Sequence, residues 1–159
     1  MHSRIFKIQT DLTEPYEKIR ESVFENNGFI DGYHDYVAYL DEKETLESYK
    51  WLVENCCFKK VFRNFRKEGD YYLADINKTD VVAYLDNVVD EIKKQIENLE
   101  NYNFYEIQQL AGGDTSGFYF FVDFSYYTDT EFLSGLYKYY FEKSDTITIR
   151  FEGALDYHS

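Results

Sequence analysis

Residues Ser3–Thr10 alternate, with Ile5 and Lys7 on one face and Phe6 and Ile8 on the other, which predicts a β-strand. Thr13 as N-cap and Pro15 in the first turn predict a helix that carries Tyr16, Ile19 and Val23 inward and stops at Asn27-Gly28. Tyr36, Val37 and Leu40 suit a short helix, and Asp41 to Glu44 a polar corner. A second helix is expected from Lys43 to Asn55, with Leu46, Tyr49, Leu52 and Val53 inward. The stretch Phe58–Ile76 reads two ways. Phe58, Val61, Phe62 and Phe65 fit a helical stripe, and they also fit one arm of a hairpin that turns at Glu68-Gly69-Asp70. The hairpin is preferred, because β-favouring residues flank a glycine-containing turn.

Thr79–Glu100 has the most sustained helical period. Val81, Tyr84, Leu85, Val88, Ile92, Ile96 and Leu99 form one stripe, so Leu85 and Ile92 are expected in the core. Phe104–Leu110 suits a short helix and Gly112-Gly113 a loop. Gly117–Tyr127 reads as one strand, and Thr128-Asp129-Thr130-Glu131 as a capping box opening a helix. Thr146–Tyr157 closes the series as a strand, with Ile147, Ile149 and Phe151 against Thr148 and Arg150, and Leu155 and Tyr157 continuing past Gly153. The order β-α-α-β-β-α-(α)-β-α-β predicts an α+β fold, a mostly antiparallel sheet with helices packed on one face.

The chain of 159 residues matches one domain, and its 44% hydrophobic and 30% charged content is that of a folded protein. No stretch is apolar enough for a membrane span, and Met1–Ile8 is too short and charged for a secretory leader. Cys56 and Cys57 are adjacent, a spacing that disfavours a disulfide, so reduced thiols and a cytoplasmic location are expected. The 17 Tyr and 14 Phe read first as filling for ordinary core positions, given a bias to Lys over Arg and few Ala.

Charge is the main functional clue. The formal net charge is −13, unevenly spread. Met1–Cys57 holds six basic and twelve acidic residues, and Thr79–Ser159 five against fifteen. Phe58–Lys78 reverses the balance, with six basic and three acidic. An acidic total argues against direct nucleic-acid binding, which needs cations on phosphates. The island Lys59, Lys60, Arg63, Arg66 and Lys67 reads as a charged sheet edge, with Arg63 and Phe65 on one strand face and Asn64 and Arg66 on the other.

No cofactor motif is present. Gly112–Gly117 precedes a strand, whereas a phosphate-cradling loop follows one and opens a helix. His34, Asp35, Asp156 and His158 form a mixed nitrogen and oxygen set that fits a metal site only if the two segments meet. Solvated surface residues at a sheet end are the plainer reading.

Ser3-Arg4-Ile5-Phe6-Lys7-Ile8 and Gly153-Ala154-Leu155-Asp156-Tyr157-His158, with Asp35-Tyr36-Val37 and Trp51-Leu52 between them, carry a resemblance. The chain resembles a group of small, acidic, uncharacterised bacterial proteins. That resemblance implies a bacterial cytosolic protein and transfers no catalytic or binding residue. The expectation is a non-enzymatic protein-interaction or accessory domain with a protein partner of basic character. The alternatives are an acidic inhibitor that mimics nucleic acid and a small enzyme of unknown reaction.

Overall fold

The computed structural model describes residues 2–25, 36–55, 57–97 and 117–158. The expected stop at Asn27-Gly28, the Phe104–Leu110 helix, the Gly112-Gly113 loop, Leu99, His34 and Asp35 lie outside the described residues.

The fold is α+β, with a mostly antiparallel seven-stranded sheet and four α-helices among the described residues. The strands are β1 (His2–Gln9), β2 (Tyr36–Tyr39), β3 (Phe62–Glu68), β4 (Tyr71–Asn77), β5 (Phe118–Val122), β6 (Ser125–Tyr127) and β7 (Thr146–His158). The helices are α1 (Ser22–Glu25), α2 (Glu42–Lys50, prolonged by a wider turn over Trp51–Asn55), α3 (Lys78–Glu97) and α4 (Asp129–Tyr139). The sheet runs β3-β4-β7-β1-β5-β6, with only β1 and β5 parallel. Strand β7 is central. It pairs with β1 on one flank, while β4 and β2 share the other flank end to end.

One sheet face carries Phe6, Ile8, Phe62, Ile76, Phe120, Ile149 and Phe151, and packs against Leu52 and Val53 after α2, Val81 of α3, and Phe132, Leu133 and Leu136 of α4. The opposite face carries Ile5, Phe121, Leu155 and Tyr157, covered by Ile19 and by Phe24 of α1. The larger layer is an aromatic lattice: Phe58 meets Phe62, Phe118 and Phe120 at 5.4–5.5 Å, and Phe120 stacks on Phe132 at 4.3 Å. The expectation that aromatics fill the core holds for these residues.

Two bulges decide which side chains reach which layer. In β3, Arg63 pairs with Asp75 and Arg66 with Leu73, so Asn64 and Phe65 together oppose Ala74. Asn64 takes the left-handed backbone (φ 49°), which Asn tolerates better than most residues. Simple alternation would put Phe62 and Phe65 on opposite faces; the extra residue puts both on the main core. The expected partition of Arg63 with Phe65 is corrected accordingly. In β7, Phe6 pairs with Ala154 and Ile8 with Phe151, so Glu152 and Gly153 together oppose Lys7. Phe151 therefore joins the main core, while Leu155 and Tyr157 join the smaller one. Their expected continuity on one face is broken at Gly153.

Four further expectations are corrected. Residues 15–20 form no helix, because their polar groups bond to β7: the Ile19 N–H donates to the Glu152 carbonyl at 2.8 Å, and Arg150 Nη2 donates to the carbonyls of Glu14 and Pro15. Thr13 donates its N–H and hydroxyl to Asp11 Oδ1, a turn rather than a cap. Tyr36–Tyr39 is a strand, since pairing with β7 outweighs local helical spacing. Gly117–Tyr127 is a hairpin, β5 and β6, turning at Asp123-Phe124 with φ of 48° and 63°. In α3 only Val81 is fully buried; Leu85 and Ile92 are half-buried and Ile96 is 51% exposed, because α4 covers only part of the stripe.

The hairpin β3–β4 turns as expected at Gly69 (φ 60°), and the Thr128–Glu131 capping box is present. A second box, Asp41 with Glu44, opens α2. Tyr84 donates to the buried Asp129, which ties α3 to the start of α4.

Strand β3 is the sheet edge, and its arginines are paired: Arg63 to Asp80 through two hydrogen bonds, Arg66 to Asp75 at 3.3 Å. Asp75 also accepts from Asn64 and Thr148. Burial raises the Asp75 pKa, but these hydrogen bonds and the Arg66 charge outweigh it, and the carboxyl sits below its ordinary value. A folded pKa below the unfolded value (about 3.9) adds stability that is complete above that value and lost as pH falls through the folded one. Asp75→Asn is therefore expected to lower stability at pH 7 and to lose most of its difference from the wild type near pH 2. Urea unfolding across that range measures it, and a difference that does not shrink toward pH 2 counts against the network.

Candidate functional site

Positions 150 and 152 of β7 place two opposite charges on one sheet face, and the β7 bulge sets Lys7 of β1 against them. Arg150 is 4% exposed and Glu152 is 1% exposed. Arg150 Nη2 lies 2.6 Å from Glu152 Oε1, and Lys7 Nζ lies 3.1 Å from Glu152 Oε2. Lys7 also donates to the carbonyl and carboxylate of Glu17. Buried charges persist only when paired and hydrogen-bonded, and each of these three is both. The Arg150 guanidinium lies 5.3 Å from the Tyr71 ring centre and 6.0 Å from that of Tyr16.

This triad holds residues 14–19 across the sheet as a strap. Beside the strap, at the ends of β1 and β5, opens a cleft of about 940 Å3. Asp11, Glu14, Glu17 and Asp123 supply acids to its walls, and Tyr16, Tyr140 and Phe124 supply rings. Burial pushes the Tyr16 hydroxyl above its ordinary pKa, Lys18 and Arg150 opposing the shift and Glu152 and Asp70 adding to it. Hydrogen bonds from Thr13 hold the Asp11 carboxyl below its ordinary value. Phe124 is 78% exposed at the lip, in left-handed backbone that a bulky residue rarely adopts. The cleft's chemistry is that of a negative, ring-lined surface, suited to cationic groups.

The sequence-based candidates lie elsewhere. Asp156 and His158 share the helix-covered face, both half-buried rather than largely solvated. Asp156 forms an ion pair with Arg4 of β1, whose Nε also donates to Ser48. His158 stacks on Tyr36 with centroids 4.9 Å apart and planes 9° from parallel. Among the described residues no group of three His, Cys, Asp or Glu converges as a metal set, and none of the helices there is long and apolar enough to cross a membrane. Sequence reasoning missed Lys7, Arg150 and Glu152. The signal was available: two opposite charges two residues apart, alternating with the apolar Ile149 and Phe151 in a strand.

No protein-family model, curated protein or solved structure matches this chain.

Proposed function

We propose that this protein is a non-enzymatic interaction domain that binds a basic protein segment in the acidic, ring-lined cleft beside the strap. The observation that carries this reading is Phe124. A two-residue hairpin turn with both residues at positive φ favours Asn-Gly, and Phe in that place strains the backbone and exposes a ring to water. Retained strain of this kind is a pointer to function. The acids around it complement lysine and arginine, and the rings favour their flat or aliphatic parts. The alternative of a nucleic-acid mimic draws less support, because acids along α3 are interspersed with cations: Asp90 pairs with Lys93, Glu91 with Lys94, and Asp80 with Arg63.

The test is an amide chemical-shift titration of the whole protein with a synthetic lysine- and arginine-rich peptide, against a glutamate-rich control. Shifts are expected to cluster at Asp11, Glu17 and Phe124 with the basic peptide alone. Phe124→Gly is expected to raise folding stability by about 1 kcal/mol by relieving the turn, yet to weaken the peptide several-fold. Shifts scattered over the whole acidic surface, or unchanged affinity in Phe124→Gly, would refute the assignment.

A further inference from the structure

We propose that a slot beside the β7 bulge, walled by the strap, α2 and the β3–β4 hairpin, binds a small zwitterionic aromatic molecule of the aromatic amino-acid class. The slot exists because β7 is flanked end to end: β4 pairs with it from Thr146 to Phe151 and β2 from Leu155 to His158. Neither strand reaches Glu152 to Ala154 on that flank. There the Ile19 N–H takes the Glu152 carbonyl and a Gly153 backbone hydrogen bond reaches the Tyr49 hydroxyl. What is left is a cavity of about 270 Å3, distinct from the acidic cleft and sharing with it only Tyr16 among the described lining residues. Sites for drug-sized ligands span roughly 300–1,000 Å3, so this one suits something smaller.

Its walls are rings. Tyr16 and Tyr71 stand 5.7 Å apart and come from the strap side; Tyr49 and Tyr72 stand 5.6 Å apart and belong to the helix side. Two ring pairs facing one narrow space favour a flat aromatic guest by edge and offset contacts. The lining also carries both signs of charge. Lys67 sits opposite Tyr72 in the β3–β4 ladder, Asp70 is close enough to Tyr16 to perturb its phenol, and Glu42 opens α2. Arg63 and Arg66 on the same edge are committed to Asp80 and Asp75, whereas Lys67, Asp70 and Glu42 have no ion-pair partner among the described residues. An uncommitted ammonium and uncommitted carboxylates beside an aromatic slot match the carboxylate and ammonium of an amino acid. A purely apolar guest would leave both unanswered.

Calorimetric titration of the full chain with L-phenylalanine and L-tryptophan tests this. Saturable binding is expected, with 3-phenylpropionate and 2-phenylethylamine, which each lack one charge, about tenfold weaker. Lys67→Ala and Asp70→Asn alter exposed side chains, so both proteins should fold, and each is expected to weaken L-phenylalanine by about threefold to fivefold. Absence of saturable binding below about 10 mM, equal affinity for the singly charged analogues, or affinities unmoved by either substitution would overturn the proposal.

Discussion

Gly153→Ala is expected to destabilise the protein by about 3 kcal/mol or more and to loosen the strap from the sheet. A methyl group at this position would lie 2.4 Å from Cγ2 of Ile19, 3.2 Å from its Cβ and 3.3 Å from its backbone nitrogen. Cγ2 is fixed directly to the branched Cβ, so the ring of contacts cannot open by a simple swing of a flexible chain end. Relief requires shifting residue 19 itself, and that shift breaks the N–H bond to the Glu152 carbonyl. The backbone at Gly153 (φ 130°) adds a conformational cost for any side chain. Denaturant unfolding of Gly153→Ala, Ile19→Ala and the double variant separates the two causes. Because the methyl group and Ile19 compete for one space, the double variant should be more stable than the summed single effects imply. Additive losses, or a loss below about 1 kcal/mol in Gly153→Ala, would mean the approach is not close.

Glu152→Gln should be nearly as damaging, by about 3 kcal/mol, with almost no change in shape. The amide keeps the volume of the carboxylate but removes the one charge among the described residues that pairs with both Lys7 and Arg150. Arg150 retains the carbonyls of Glu14 and Pro15, and Lys7 retains Glu17, which holds the loss below that of a wholly unpartnered charge. Added salt should not rescue the variant, since ions screen exposed charges and not buried ones. A Glu152→Gln protein as stable as the parent, in urea unfolding with and without salt, would reduce the triad to a decorative contact.

The parts of the fold that could be read from sequence are those set by short-range chemistry. The β3–β4 hairpin announces itself through Gly69, and α4 through Thr128 and Glu131. The parts that were misread depend on partners far along the chain. Residues 15–20 have a helix-start signature, yet their carbonyls are claimed by Arg150 and their amides by Glu152. Tyr36–Tyr39 has helical spacing and is drawn into β7. Both bulges shift the period by one residue, and nothing in the local sequence around Asn64 or Gly153 fixes which neighbour absorbs the extra position. The β5–β6 turn stayed hidden because Asp-Phe is not a turn dipeptide, and that same departure is what marks Phe124. The cleft was invisible for a related reason: its acids come from the stretch after β1, from the strap, from β7 and from the distant β5–β6 turn, so no motif gathers them.

The central position of β7 also sets the order in which the molecule can assemble. Phe6 finds its ladder partners only at Phe120 and Ala154, and the flank of β4 is completed by the same late strand as the second of these. On a ribosome adding roughly 5–20 residues per second, β1 and the β3–β4 hairpin wait on the order of ten seconds for the strand that joins them. Contacts so distant along the chain make for slow folding, because loop-closure entropy is lost before any pairing compensates for it. During that interval the apolar side chains of β1, among them Ile5, Phe6 and Ile8, have at most β5 to pair with and lack the central strand that completes both layers. A nascent chain arrested before Thr146 should accordingly be the species most sensitive to chaperone depletion.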